Sequence, residues 1–172
     1  LGPGGMAARI LKLCAPTGRL IAIDRDPEAI ERARETLKPY NASVWFHCGN
    51  FQDLASILDA AGCGKVDGVL FDLGISSVQL DDAERGFSFQ QEGPLDMRMN
   101  TLKGMTAAEL VNTLPEKELA NVIYEFGEER LSRRISKSIV KQRTISPFRT
   151  ASELAHVIRQ SVPPAYRYGR LH

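Results

Sequence analysis

Between residues 19 and 73, short apolar runs alternate with stretches whose apolar positions recur every three or four residues. "RLIAID" (19–24), "SVWFHCG" (43–49) and "VDGVLFDL" (66–73) have the length of buried strands, and turn chemistry follows them. Between the first two, "RDPEAIERARETLKPY" sets Ala29, Ile30, Ala33 and Leu37 on one helical stripe, with Asp26 placed as N-cap and Pro27 at the first helical position. "MAARILKL" (6–13) and "LASILDAAG" (54–62) predict two further helices. Strands alternating with helices of this length predict βαβ units and a parallel sheet.

Past about residue 100 the period changes. "TAAE" (106–109) is a capping box that opens a short helix. "LPEKELANVIYEF" has Pro115 in first-turn position and Leu119, Val122, Ile123 and Phe126 on one face. A longer helix is expected over 128–143, and a second capping box, "TASE" (150–153), opens a helix that Pro163 and Pro164 stop. No strand pattern occurs here, so the expected boundary separates an α/β part, residues 1–100, from an all-helical part, residues 101–172. Residues 74–100 show neither period, and a patternless run of this length inside a compact domain is expected to serve a function.

Charge sharpens this division. The net charge is +1, yet residues 1–100 hold 10 lysines and arginines against 14 acids, whereas residues 101–172 hold 12 against 7. The basic half is expected to face a polyanion. Arg130, Arg133, Arg134, Lys137 and Lys141 fall on one helical face, opposite Leu131, Ile135 and Ile139, and no acid occurs over 131–152. Such a stripe suits phosphate contact. Cys14, Cys48 and Cys63 form no C-x-x-C pair, and their odd number speaks for a reducing compartment: the cytoplasm, or an organelle matrix. Composition is that of a soluble globular protein, no apolar run is long enough to cross a membrane, and His47 and His156 sit in core-like patterns rather than in a metal cluster. The chain opens on a turn that ought to follow a strand and stops within "YRYGRLH", so it reads as an interior piece of a longer protein.

Candidate chemistry gathers at the strand ends. "LGPGG" leads into a helix, where glycines let the backbone approach a ligand and the helix start offers unpaired N–H groups. Asp24 ends the next strand, at the spacing where an acid accepts the ribose hydroxyls of a nucleoside cofactor. Asn50 and Phe51 follow the second strand, and Phe51 is placed either to stack on the adenine or to pack in the core. Asp72 ends the third strand at the same edge.

"AIDRDP", "DGVLFDLGISSVQLDDAERGFSF", "GPLDMRM", "FGEERLSRRISKSIV" and "YGRLH" together resemble the S-adenosylmethionine-dependent methyltransferases that modify a cytosine N4 in small-subunit ribosomal RNA. The resemblance runs over essentially the whole chain. It implies a Rossmann-like class I methyltransferase sheet, doubly wound and incomplete here, with an all-helical RNA-binding insert. It implies that Gly4, Gly5 and Met6 line the methionine end of S-adenosylmethionine, that Asp24 holds the ribose, that Phe51 and Asp72 contact the rest, and that Gln79 closes over it. Met6 departs from the family, which often has His there. The family's first strand, which sits between 19–24 and 66–73 in the sheet, is not found, so this piece by itself is expected to be unstable or inactive.

The implied chemistry suits the residues. The cytosine amine is a poor nucleophile, and a carboxylate accepting one of its N–H bonds steadies the charge that grows on nitrogen. Asp72 is placed for that role, with Ser76 or Ser77 accepting the second N–H; alternatively Asp72 is purely a cofactor ligand. The patternless loop is then expected to be a lid over cofactor and an unpaired or flipped-out base, with the small-subunit RNA, or the assembling subunit, as partner. A nicotinamide-dependent dehydrogenase shares the glycine turn and the strand-end acid, and a non-catalytic RNA-binding module shares the basic stripe. Methyl transfer to DNA or to another protein is a further reading.

Overall fold

The computed structural model describes residues 1–167, in two compact units: Leu1–Gly74 with Met99–Thr101, and Ile75–Arg98 with the chain from Leu102 onward. The closing "YGRLH" lies outside the described residues.

The first unit is mixed α/β. Helix α1 (Gly5–Cys14) leads to strand β1 (Leu20–Asp24), helix α2 (Pro27–Thr36), strand β2 (Val44–Cys48) and helix α3 (Leu54–Ala60). The two strands pair in parallel, in register from Leu20 opposite Val44 to Asp24 opposite Cys48. Helix α2 forms as its sequence dictates: the Asp26 carboxylate accepts the Glu28 N–H at 2.9 Å, Pro27 occupies the first turn, and Ala29, Ile30 and Ala33 are buried. Ala7 and Leu11 of α1 meet Leu37 in a small core, with Leu20, Val44 and Phe46 of the sheet packed against it. Arg34 adds a cation–π contact, 4.6 Å above the Phe46 ring.

The expected third strand is absent among the described residues. Residues 66–73 pair with no strand, and Val66, Val69, Leu70, Phe71 and Leu73 are all exposed. The apolar run has strand character, but a parallel strand needs a neighbour to accept its backbone groups. In doubly wound order a central strand lies between this run and β1, and the described residues contain no such strand.

The second unit carries the short helix α4 (Ser77–Asp81), then α5 (Ala107–Thr113), α6 (Glu116–Glu125), α7 (Ser132–Arg143), α8 (Ala151–Ser161) and α9 (Pro164–Arg167). Both capping boxes form, Thr106 with Glu109 and Thr150 with Glu153. Its core joins Leu95, Val111, Leu119, Ile135, Ile139, Phe148, Ala151 and Val162. Leu95 explains why residues 75–98 pack with the helices although no helical period runs through them: it is 1% exposed, and Pro94 bridges to Thr150.

Three expectations change. On α6 the inward face centres on Leu119, Ala120 and Ile123, so Val122 turns outward, and Phe126, at the C-cap, is 82% exposed. Helix α7 begins at Ser132 rather than 128, because Glu128 takes a left-handed φ of 51° that interrupts a helix. His156 is exposed on α8 rather than in the core, while His47 is half-buried.

Candidate functional site

The glycine turn and the strand-end acid both lie in the first unit. Gly4 adopts φ 87°, a conformation natural to glycine, as the N-cap of α1. A Cβ on Gly4 would sit 3.4–3.5 Å from Thr36, Ala33 and Leu37, whereas one on Gly5 would meet nothing within 4 Å. Gly4 is thus called for by its backbone conformation rather than by lack of room, and Gly5 presents bare backbone to open space. Met6 follows, half exposed.

Asp24 is anchored from one side: its Oδ1 accepts the Asp26 N–H at 2.9 Å. This bond was not foreseen: Asp26 caps α2, yet Asp24 also holds the chain entering that cap. The carboxyl end of β2 lies alongside, with the Gly49 N–H donating to Asp24 O at 2.9 Å. Asn50 Oδ1 accepts the Gln52 N–H at 3.2 Å and opens the turn that carries Phe51. Phe51 is 48% exposed, so the core-packing alternative is not what is observed. Its ring meets Phe71 edge-on at 5.6 Å, which brings the residue beside Asp72 to the ring. Asp72 itself is exposed on the unpaired run rather than at the end of a strand. A bare glycine, an anchored carboxylate and an exposed ring around the ends of two parallel strands fit a nucleoside cofactor such as S-adenosylmethionine.

Ser76, Ser77 and Gln79 belong to the second unit. Ser76 caps α4: its hydroxyl accepts the Gln79 N–H at 3.2 Å, while Gln79 Oε1 accepts from the Ser76 N–H at 2.9 Å and from its hydroxyl at 3.2 Å. Gln79, buried, thus closes its own helix. Ser77 is exposed in the first turn of α4.

The basic residues are all exposed, and among the described residues none of the five is in an ion pair. Arg133, Arg134, Lys137 and Lys141 lie on α7, while Arg130 stands in the turn before it. Arg143, at the end of the same helix, is not part of this surface: its Nη1 donates at 2.8 Å to both Val111 O and Leu114 O, closing the last turn of α5. The residues that sequence reasoning passed over are Asp96 and Arg98. They pair with one another half-buried, and their only sequence signal is charge inside a run without a period.

Residues 1–172 match the sequence model of the MraW methylase family. The chain belongs to that family. It is 48% identical over 172 residues to the "Ribosomal RNA small subunit methyltransferase H" of Syntrophotalea carbinolica and 50% over 172 residues to that of Geotalea uraniireducens. It is 50% identical over 173 residues to the protein of the same name from Gloeothece citriformis. Each comparison covers 100% of this chain and 55% of the relative. The chain thus spans about half the length of these curated MraW-family relatives.

Proposed function

We propose that this chain carries the cofactor-binding and RNA-gripping parts of an enzyme that transfers a methyl group from S-adenosylmethionine to the exocyclic N4 of a cytidine in small-subunit ribosomal RNA. The observation that carries this reading is the Gly4–Gly5 turn that opens α1, with Asp24 at the end of β1, in a chain that matches the family over its whole length. The curated relatives' printed name speaks for the small-subunit RNA, or the assembling subunit, as partner. The cytoplasm, a reducing compartment, goes with that substrate and with the three free cysteines. The fold that goes with this activity is a class I methyltransferase sheet, residues 1–100, with residues 101–172 as a helical RNA-binding insert.

S-adenosylmethionine, when bound, supplies an activated methyl group, so the residues chiefly bind, orient and exclude water. Good alignment is worth about 7–11 kcal/mol. In this assignment Gly4, Gly5 and Met6 line the methionine end, Asp24 holds the ribose hydroxyls, and Phe51 covers the adenine. Asp72 accepts a proton-bearing bond of the cytosine amine, and Ser77 or Ser76 accepts the second. The exposed cations Arg130, Arg133, Arg134, Lys137 and Lys141 meet RNA phosphates.

Equilibrium binding of labelled S-adenosylmethionine, with NAD as competitor and Asp24→Ala as control, tests the cofactor class. Saturable binding that NAD leaves untouched and the variant loses is the expected result. Displacement by NAD would overturn this reading in favour of a dehydrogenase.

A further inference from the structure

A five-residue helix does not stand alone, because nucleation fixes several residues before hydrogen bonds accumulate. Helix α4 is such a helix, and beyond the Ser76–Gln79 box its support comes from the loop that follows. The Asp82 N–H donates to Val78 O and the Arg85 N–H to Asp82 O, each at 3.1 Å, and Asp82 Oδ1 accepts the Glu84 N–H at 3.0 Å. The turn Ala83–Arg85 ends on Gly86, at φ 68°. A Cβ on Gly86 would lie 2.2 Å from Pro94 O, and one on Gly93 would lie 1.9 Å from Ala83 O. Residues 83–86 and 93–96 are therefore pressed together backbone to backbone, with no room for a side chain between them.

Three charged side chains fasten this closed loop. Arg85 is 3% exposed; its Nη2 donates to Arg98 O at 3.0 Å, and its own carbonyl accepts the Met97 N–H at 3.0 Å. Between those bonds Met97 is held at φ 60°, which side-chain-bearing residues seldom adopt. Arg98 grips Asp96 as a fork, Nε to Oδ1 at 2.8 Å and Nη2 to Oδ2 at 2.7 Å, and its backbone N–H also donates to Oδ1 at 2.9 Å. The same stretch is tied to the helices. Asp96 O accepts the Ala107 N–H at 2.7 Å and Leu95 O the Ala108 N–H at 2.8 Å, both at the start of α5, while the Leu95 N–H donates to Arg149 O at 2.8 Å. An unbroken path of bonds runs from the helical core through Leu95, Asp96, Arg98 and Arg85 to α4.

We infer that Arg85, Asp96 and Arg98 are positioning residues that fix α4, and with it Ser76 and Ser77, to the N-terminal end of α5. The core of the second unit thereby sets where those hydroxyls stand. The consequence for catalysis rests on the reading in which one of them serves the reacting amine. A buried arginine is retained where its donors are used, and the planar fork of Arg98 fixes direction in a way that a flexible lysine does not.

Arg85→Met keeps the apolar stem and removes the donors; Arg85→Lys restores the charge without the planar guanidinium. Amide hydrogen exchange in the full chain is followed at Leu80 and Asp82, whose N–H groups bond to Ser76 O and Val78 O, with α6 and α7 as internal reference. Methyl transfer to small-subunit RNA gives kcat and KM in parallel. In Arg85→Met, protection at Leu80 and Asp82 drops while α6 and α7 keep theirs, and Arg85→Lys recovers part of it. With α4 misplaced, kcat falls about a hundredfold while KM for RNA holds. Unchanged protection at Leu80 and Asp82 would overturn the inference. Protection lost with kcat intact upholds the anchoring of α4 and removes Ser76 and Ser77 from the chemistry, so failure of that assignment is told apart. Asp96→Asn weakens the fork from its carboxylate end; it serves if Arg85→Met does not fold, and is judged by the same two amides.

Discussion

The side-chain amide of Asn112 and the backbone of Phe148 exchange two hydrogen bonds: Nδ2 donates to Phe148 O at 2.8 Å, and Oδ1 accepts the Phe148 N–H at 2.9 Å. The amide takes the place of a strand partner for a residue that is otherwise buried. It joins the last turn of α5 to the turn before α8, across 36 positions of sequence. Asn112→Ala leaves both Phe148 groups without their partner, at a cost of about 1–3 kcal/mol. Denaturant unfolding of the variant is expected to show a midpoint lowered by that free energy divided by an unchanged slope.

Asp72 has two possible tasks, and one substitution separates them. Asp72→Asn keeps the size of the side chain and removes its charge. If the carboxylate steadies the reacting amine, kcat falls about 10²–10³-fold while S-adenosylmethionine binds as before. A loss of cofactor affinity with little change in kcat at saturation would make Asp72 a cofactor ligand only. Titration with labelled cofactor, run beside single-turnover methyl transfer, reads the two effects apart.

The exposed cations of α7 make a salt-dependent prediction. Arg133→Ala and Lys137→Ala, each at a fully solvated position, are expected to leave the thermal melt unchanged. Each lowers the slope of log affinity for RNA against log salt by about 1, by releasing one fewer condensed counterion. Arg143→Ala does the reverse: it opens the end of α5 and destabilises the fold with no such change in slope. Filter binding over a series of salt concentrations distinguishes the three.

Two carboxylates link stability to acid. The Arg98 side chain, bonded to Asp96, holds that carboxyl below its ordinary range, with the Arg98 N–H assisting against partial desolvation. The Arg149 N–H, and then the Thr150 N–H, do the same for Glu153. Each group binds its proton less readily folded than unfolded. The stability each contributes is therefore complete above the ordinary carboxylate value and is lost as pH falls through the depressed folded value. Asp96→Asn and Glu153→Gln should be less stable than the native chain at neutral pH, and the gap should close on acidification. Melts recorded from pH 7 down to the carboxylate range check the sign.

Gly86→Ala tests the closed loop by sterics rather than by charge. The added methyl meets the Pro94 carbonyl well inside contact distance, in a left-handed backbone that alanine adopts reluctantly. The loop must open, so protection at the Leu80 and Asp82 amides is expected to fall as it does in Arg85→Met. Native-like exchange at both amides would show that the approach of 83–86 to 93–96 is looser than described.

Local rules settled much of this molecule in advance. Asp26 and Pro27 start α2, Thr106 with Glu109 starts α5, and Thr150 with Glu153 starts α8, because each cap is a bond between residues at most three positions apart. The runs at 20–24 and 44–48 pair in parallel because both are apolar and a helix between them supplies the crossover that a parallel pair requires. Asp24 was legible for the same reason: it sits at a fixed count from a glycine turn that only glycine can make. What the pattern could not decide was everything that depends on a distant partner. Residues 66–73 have the composition of a strand, but a strand is a relation between two segments, and no neighbour accepts this one among the described residues. Val122 and Phe126 fit the apolar period of α6, yet which face is inward depends on where α7 lies. Asp96 and Arg98 gave no sign of their pairing, and Arg85 none of its burial, because both follow from how the loop folds rather than from any period. Periodicity and capping act within a turn or two of chain and are written in the sequence; sheet partners, helix faces and the burial of a charge such as Arg85 depend on other segments, and the tertiary structure decided them.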